Sequence, residues 1–150
     1  MMIFLTVILL IFQLAVLIKG NPWYEINKLF GEEEIRKQQV GSDNYIPDKK
    51  LLEGALITIA LGIPYILFLL LYLCFSINYD PHTLPTIILL AYFILSVLVA
   101  VLKNKKKDLS SEKKVAAFRK KFNKRHTFRG KVIQLVFISY YTYMLIHLIK

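Results

Sequence analysis

Four stretches of the chain are almost wholly apolar, and the polar residues are collected between them. The stretches cover residues 1–18, 52–77, 84–102 and 132–149. About 20 consecutive apolar residues form a helix long enough to cross a hydrocarbon core of about 30 Å. A soluble amphipathic helix would instead spread its apolar residues at a period of about 3.6. The pattern therefore predicts an all-α integral membrane protein, a single domain of four transmembrane helices over residues 1–150.

A cleaved secretory signal is the alternative interpretation of the first stretch. Such a peptide has a basic n-region and a small-residue cleavage site. No Lys or Arg precedes Lys19, and the segment that follows has no A-x-A-like site. We therefore expect the first stretch to remain as a transmembrane helix. In the second stretch, Pro64 lacks the N–H that the preceding turn would accept, so we expect a kink just before it.

Basic residues are concentrated in the two longer segments between the stretches. Residues 103–131 hold thirteen of the twenty Lys and Arg residues and residues 19–50 hold six, whereas the turn at 78–83 holds none. Loops rich in Lys and Arg stay in the cytoplasm. We therefore predict a cell-membrane protein with cytoplasmic loops at 19–50 and 103–131 and with both termini outside. Because the net charge of +10 arises mainly beside these spans, no nucleic-acid partner is expected.

Each cytoplasmic loop is expected to contain a short interfacial helix. In the first loop, Asn21 is suited to cap a helix that has Pro22 at its first position. This helix is expected to end near Gly31, unless the charged segment that follows extends it as a solvated rod. In the second loop, a helix is expected to begin after Ser110 or Ser111.

The helix of the second loop carries one narrow apolar stripe, made of Val115, Phe118 and Phe122, among many basic residues. Basic amphipathic helices of this kind lie on anionic membrane surfaces, so the anionic inner leaflet is the predicted partner. Docking on an acidic partner or in a calmodulin-like groove is the alternative. The predicted surface-binding residues are Lys113, Lys114, Phe118, Lys120, Lys121, Phe122, Lys124 and Arg125.

One set of chemically capable residues falls at the other membrane face. Asp80 and His82 lie in the turn between the second and third stretches, and His147 lies near the outer end of the fourth. An Asp and two His residues could bind a divalent metal or shuttle a proton. No tight ligand motif supports such a site, so three unrelated interfacial residues are the preferred interpretation. No catalytic residue, metal or cofactor is therefore predicted.

The fourth stretch is the most polar of the four. Tyr140 and Tyr143 share a helical face with Phe137 and His147. We expect this face to pack on the other helices, because tyrosine hydroxyls inside a membrane form hydrogen bonds with neighbouring helices. A pore or ligand-binding lining is the weaker alternative.

The chain has no Walker-type glycine loop and no GxSxG or HExxH motif. We expect a small non-enzymatic, multi-pass membrane protein, an accessory, regulatory or immunity-type component with an unidentified membrane-protein partner. The alternatives are an oligomeric channel or transporter, a holin-like membrane-permeabilising protein and, last, a membrane enzyme. A pore would need a polar stripe, for which the candidates are Gln13, Thr58, Ser96, Gln134, Ser139 and Thr142.

Overall fold

The computed structural model describes residues 1–41, 45–102, 109 and 111–150, and for Val101 and Lys121 it describes the backbone alone. All regular structure in these residues is helical, which confirms the all-α prediction. A π-helical turn, Thr58–Gly62, joins the third helix to the fourth. The α-helices are α1 Met2–Lys19, α2 Tyr24–Val40, α3 Lys49–Ile57, α4 Ile63–Ser76, α5 Leu84–Leu102, α6 Glu112–Phe122 and α7 Phe128–Ile149.

Three helical segments are long and apolar enough to cross a membrane, as expected of a membrane protein. They are Met2–Lys19, Lys49–Ser76 and Phe128–Ile149. The remaining predicted span coincides with α5, whose fully described stretch, Leu84–Ala100, is a shorter apolar helix. The segments Lys49–Ser76 and Phe128–Ile149 begin before residues 52 and 132, at which the second and fourth spans were predicted to start. Cationic side chains such as that of Lys49 allow this, because they continue a helix while their charged ends reach water.

The irregularity expected before Pro64 takes the form of the π-helical turn. Pro64 has no N–H to donate, so the hydrogen-bond register of the helix changes in the turn before it. The N–H of Ile63 donates to the carbonyl oxygen of Ile59. The Thr58 hydroxyl donates to the carbonyl oxygen of Gly54 at 2.8 Å, so it is satisfied within its own helix.

The chain divides into two compact units. The apolar unit consists of Met1–Lys19, Tyr65–Lys105 and Phe128–Lys150, and the charged unit consists of Gly20–Pro64 and Lys106–Thr127. The division follows the sequence, because the charged unit contains most of both predicted cytoplasmic loops. The two segments are far apart along the chain, yet they fold together.

In the apolar unit, α1 runs closely alongside α7. Two hydrogen bonds connect α1 to α4, one between Thr6 Oγ1 and Tyr72 OH at 2.8 Å and one from Gln13 Nε2 to Tyr65 OH at 3.4 Å. Because the order of the bonded residues is reversed between the two helices, α1 and α4 are antiparallel. The buried core consists of Leu9, Leu69, Tyr72, Leu73, Leu89, Phe137, Tyr140, Tyr141 and Met144.

In the charged unit, α2 and α6 form an antiparallel pair. The guanidinium of Arg119 donates two hydrogen bonds to the Glu32 carboxylate, at 2.9 and 2.8 Å. This hydrogen-bonded contact raises the pKa of Arg119 above its ordinary value. Just beyond the C-terminal end of α6, the Tyr24 hydroxyl donates to Asn123 Oδ1 at 2.7 Å. The sequence suggested two separate interfacial helices, whereas these contacts fix one helix against the other.

Hydrogen bonds from two backbone N–H groups fix the two ends of this pairing. The N–H of Asn21 donates to the carbonyl oxygen of Arg125 at 3.2 Å. The N–H of Leu109 donates to Gln38 Oε1 at 3.0 Å. Ser111 occupies the predicted position before α6, although its side chain makes no capping hydrogen bond. Ser110, the other predicted cap, lies outside the described residues.

Gly31 allows the aromatic ring of Phe122 to approach α2. A Cβ atom at residue 31 would lie 2.6 Å from two ring carbons of Phe122. Glycine at this position lowers the helix propensity of α2 by about 1 kcal/mol. In exchange, the absence of a side chain lets the Phe122 ring contact the helix. The helix α2 does not end near Gly31 but continues through the charged segment to Val40, and Gly41 follows with a φ of 85°.

Replacing Gly31 by Ala is expected to loosen the pairing of α2 with α6. Overpacking a well-filled contact costs about 1–3 kcal/mol, which exceeds the gain in helix propensity. Gly54→Ala is the matched control, because its Cβ would lie 3.5 Å from Leu29, an ordinary contact. Hydrogen exchange of the α2 and α6 amides should accelerate for Gly31→Ala alone and recover when Phe122→Leu is added. Equal behaviour of the two glycine variants would contradict the close contact.

Candidate functional site

Asp80 is a carboxylate buried in the turn between α4 and α5, with only 4% of its surface exposed. The last turn of α4 is closed by hydrogen bonds from the N–H groups of Tyr79 and Asp80 to the carbonyl oxygen of Ser76, at 3.0 and 2.9 Å. Thr83 then takes a φ of 52°, an uncommon conformation for a β-branched residue, and α5 starts at the next residue. This turn directs the carboxylate back over the beginning of α5.

Four donors surround the two carboxylate oxygens of Asp80. Oδ2 accepts hydrogen bonds from the Thr86 hydroxyl at 2.6 Å and from the Thr86 N–H at 3.2 Å. Oδ1 accepts from the Tyr143 hydroxyl at 2.7 Å and from the N–H of His82 at 3.1 Å. The carboxylate therefore connects the turn to both α5 and α7.

These hydrogen bonds keep Asp80 ionised. Burial alone raises the pKa of a carboxyl group, because it disfavours the charged form. At Asp80 this effect is outweighed by the hydrogen bonds from Thr86, Tyr143 and the backbone N–H of His82, and the pKa lies below its ordinary value of 3.8. Hydrogen bonds to a charged group are among the stronger ones in proteins, so the arrangement stabilises the turn.

The polar contacts continue from Asp80 into the core of the apolar unit. Thr86 Oγ1 and Tyr140 OH are 2.8 Å apart, which connects α5 to α7. Within α4, the Ser76 hydroxyl donates to the carbonyl oxygen of Tyr72 at 2.8 Å. Tyr72, in turn, bonds to α1. Buried hydroxyl groups thus connect α1 to α4 and α5 to α7.

The two histidines of the predicted set also lie at this end of the apolar unit. The ring centroids of His82 and His147 are 6.4 Å apart, and those of Tyr143 and His147 are 4.6 Å apart. The structure therefore brings Asp80, His82 and His147 to one place, whereas three unrelated interfacial residues were the preferred interpretation of the sequence. Within the described residues, however, no group of three His, Cys, Asp or Glu side chains is arranged to hold a metal ion. The Asp80 oxygens are occupied by protein donors.

The eight residues predicted to bind the membrane surface fall into two groups. Lys113, Lys114, Lys120 and Lys124 are exposed on α6 or just after it. By contrast, the side chains of Phe122, Phe118 and Arg125 face other groups of the charged unit. Phe118 stacks edge-on against Phe122 at 5.0 Å, and Arg125 lies 5.7 Å from the centre of the Tyr24 ring. The Lys121 side chain lies outside the described residues.

Comparisons with known proteins do not identify the chain. Neither a protein-family model, nor a curated protein, nor a solved structure matches the chain. The function therefore has to be argued from the residues themselves.

The sequence did not predict that Thr86 and Tyr143 form hydrogen bonds with the Asp80 carboxylate. A signal was present, since Thr86 is a polar residue in the first turn of an otherwise apolar helix. Polar residues in such helices face the protein interior and pair with one another. The predicted packing of the tyrosine face of α7 is confirmed, because Tyr140 is buried and Tyr143 is half-buried.

Replacing Asp80 by Asn should destabilise the protein at neutral pH by about 2 kcal/mol, the value of losing charge-assisted hydrogen bonds. Because the pKa is lowered on folding, ionisation of Asp80 stabilises the protein above pH 3.8. That contribution is lost as the pH falls through the folded-state pKa. Thermal unfolding in mild detergent measures both effects.

Asp48→Asn is the control for this experiment. Asp48 is exposed and accepts one hydrogen bond from the N–H of Lys50 at 3.3 Å, and Asn caps a helix as well as Asp does. Its melting temperature should match that of the parent protein, and its loss of stability in acid should be unchanged. If Asp80→Asn showed the full acid-induced loss of the parent protein, Asp80 would not be the buried anchor.

Proposed function

We propose that the chain is a small non-enzymatic protein that crosses the cell membrane four times, with both termini outside and with residues 19–50 and 103–131 in the cytoplasm. It acts as an accessory or regulatory component of the membrane. Three helices of sufficient length and apolar character support the crossings, and the 19 residues of α5 are long enough for the fourth. The positive-inside rule supports the orientation, because nineteen of the twenty Lys and Arg residues lie in residues 19–50 and 103–131.

The observation that carries the non-enzymatic role is the environment of Asp80. A catalytic carboxylate has to exchange a proton or contact a substrate. Asp80 instead has four protein donors on its two oxygens and only 4% exposure. A group in this state holds the helices in place.

The side chains considered for a pore also favour the accessory role. Gln13 is buried and donates to Tyr65. The hydroxyls of Thr58, Ser96 and Thr142 each donate to a carbonyl oxygen of their own helix, at 2.8 Å in each case. A polar stripe for ion passage would need such groups to face a shared aqueous path.

Cysteine labelling tests the proposed orientation. The background is Cys74→Ser, which removes the single cysteine of the chain. Asn78→Cys and Ala117→Cys place a thiol at two exposed positions, in the α4–α5 turn and on α6. In intact cells a membrane-impermeant maleimide should label residue 78 and should label residue 117 only after permeabilisation. The opposite pattern, or labelling of both positions from outside, would refute the orientation.

A flux experiment separates the accessory role from a pore or a holin-like function. Purified protein in sealed phospholipid vesicles is expected to release neither potassium nor a trapped dye faster than empty vesicles do. Induced expression should also leave cells intact, and mild-detergent purification should recover a partner protein at fixed stoichiometry. Rapid release of potassium or dye would replace the proposal by the pore interpretation.

A further inference from the structure

The two sides of α6 have opposite environments. One side carries Phe122, which packs against Gly31 of α2, and Arg119, which is bonded to Glu32. At about 100° per residue, Lys113 and Lys120 lie within about 20° of each other on the helix surface, on the side opposite Phe122. Lys124 follows two residues after the end of the helix, and all three lysines are exposed.

The packing of α6 on α2 excludes one mode of membrane binding. A basic amphipathic helix ordinarily inserts its apolar stripe into the boundary between headgroups and acyl chains. Here the ring of Phe122, a central part of that stripe, contacts α2, where a Cβ on Gly31 would already collide with it. While α6 stays paired, the side that remains available is made of lysines and small residues, including Ala117.

This lysine side is tethered close to a predicted span. Five residues, 123–127, separate the end of α6 from the start of α7. A fully extended connection of that length reaches at most about 20 Å, since each residue adds about 3.5 Å. An anionic membrane surface attracts basic segments within a screening length of about 8–10 Å. The connection therefore keeps Lys124 and the C-terminal end of α6 within about 20 Å of the start of α7.

We propose that Lys113, Lys120 and Lys124 form a docking face for anionic phospholipid headgroups, which binds by charge alone while α6 remains paired with α2. This inference rests on the proposed function, because it takes α7 to be a span. Phospholipid headgroups are inferred as the ligand because their negative charge complements that of the lysines, and because residues 123–127 form only a short connection to α7. Lysine suits such a surface, because it is a strongly hydrated point charge that needs no fixed partner geometry.

The experiment uses the full chain in lipid nanodiscs, with a fluorescent dye on Ala117→Cys in the Cys74→Ser background. Energy transfer to labelled headgroups reports the distance of α6 from the lipid surface. In nanodiscs containing phosphatidylserine at low salt, the transfer should be high. It should fall to the level of phosphatidylcholine nanodiscs at high salt. The triple variant Lys113→Gln, Lys120→Gln and Lys124→Gln should weaken the association about a hundredfold, since each lysine near the surface contributes about a fivefold factor.

A matched variant controls for net charge. Lys28, Lys49 and Lys50 are exposed residues of the same unit, so changing these three to Gln removes the same charge from other positions. This control should keep the transfer of the parent protein. Equal loss in both variants would overturn the docking face. Transfer that is high in phosphatidylcholine and insensitive to salt would also overturn it, in favour of insertion of the apolar stripe.

Absence of any lipid effect would overturn the proposal as well, and would favour an acidic protein as the partner. Nanodiscs expose both leaflets, so this outcome does not depend on the orientation of the chain in the cell. A failure of the docking face is therefore distinguishable from a failure of the proposed function, which the labelling of residues 78 and 117 tests separately.

Discussion

A carboxylate removed from solvent must be surrounded by donors from the protein itself, and in the apolar unit this requirement falls on Asp80. Its donors come from the turn, from α5 and from α7, so one charged group determines which parts of these elements meet. The same contacts hold the turn in which Thr83 adopts a positive φ. Strain of this kind persists only where the surroundings over-determine the backbone. The hydrogen bonds that stabilise the buried charge of Asp80 thus also hold the unusual backbone conformation of Thr83.

Hydrogen bonds also provide specificity where apolar packing cannot. Between helices in lipid the hydrophobic effect gives little preference for one neighbour over another, because lipid chains are as apolar as leucine. The pairs Thr6–Tyr72 and Thr86–Tyr140 connect α1 to α4 and α5 to α7. Individual bonds of this type contribute only about 0.6 kcal/mol on average. Their main effect is to select the register and neighbours of the helices, with a modest gain in stability.

The sequence is sufficient for features that depend on local patterns and insufficient for those that depend on distant partners. The apolar stretches predicted α1 and α5 almost to the residue, because length and composition alone define such helices. The stripe of α6 was also visible, but a periodic pattern identifies a face without identifying what covers it. Glu32, which bonds to Arg119, is 87 residues away along the chain. Likewise, whether Asp80 was free for a metal depended on Tyr143, 63 residues away.

The chemistry of α6 shows how one helix can be folded against its own chain and still present a strong positive charge. Arginine has a planar fork that matches a carboxylate, and Arg119 makes this bidentate contact with Glu32 at the α2 side. Lysine lacks the fork, so a lysine at residue 119 would form a weaker pair with Glu32. Lys113 and Lys120 lie on the other side of the helix and are exposed. The Arg119 side chain itself remains 53% exposed, so its position beside Glu32 follows from the geometry of its charged group, without any burial.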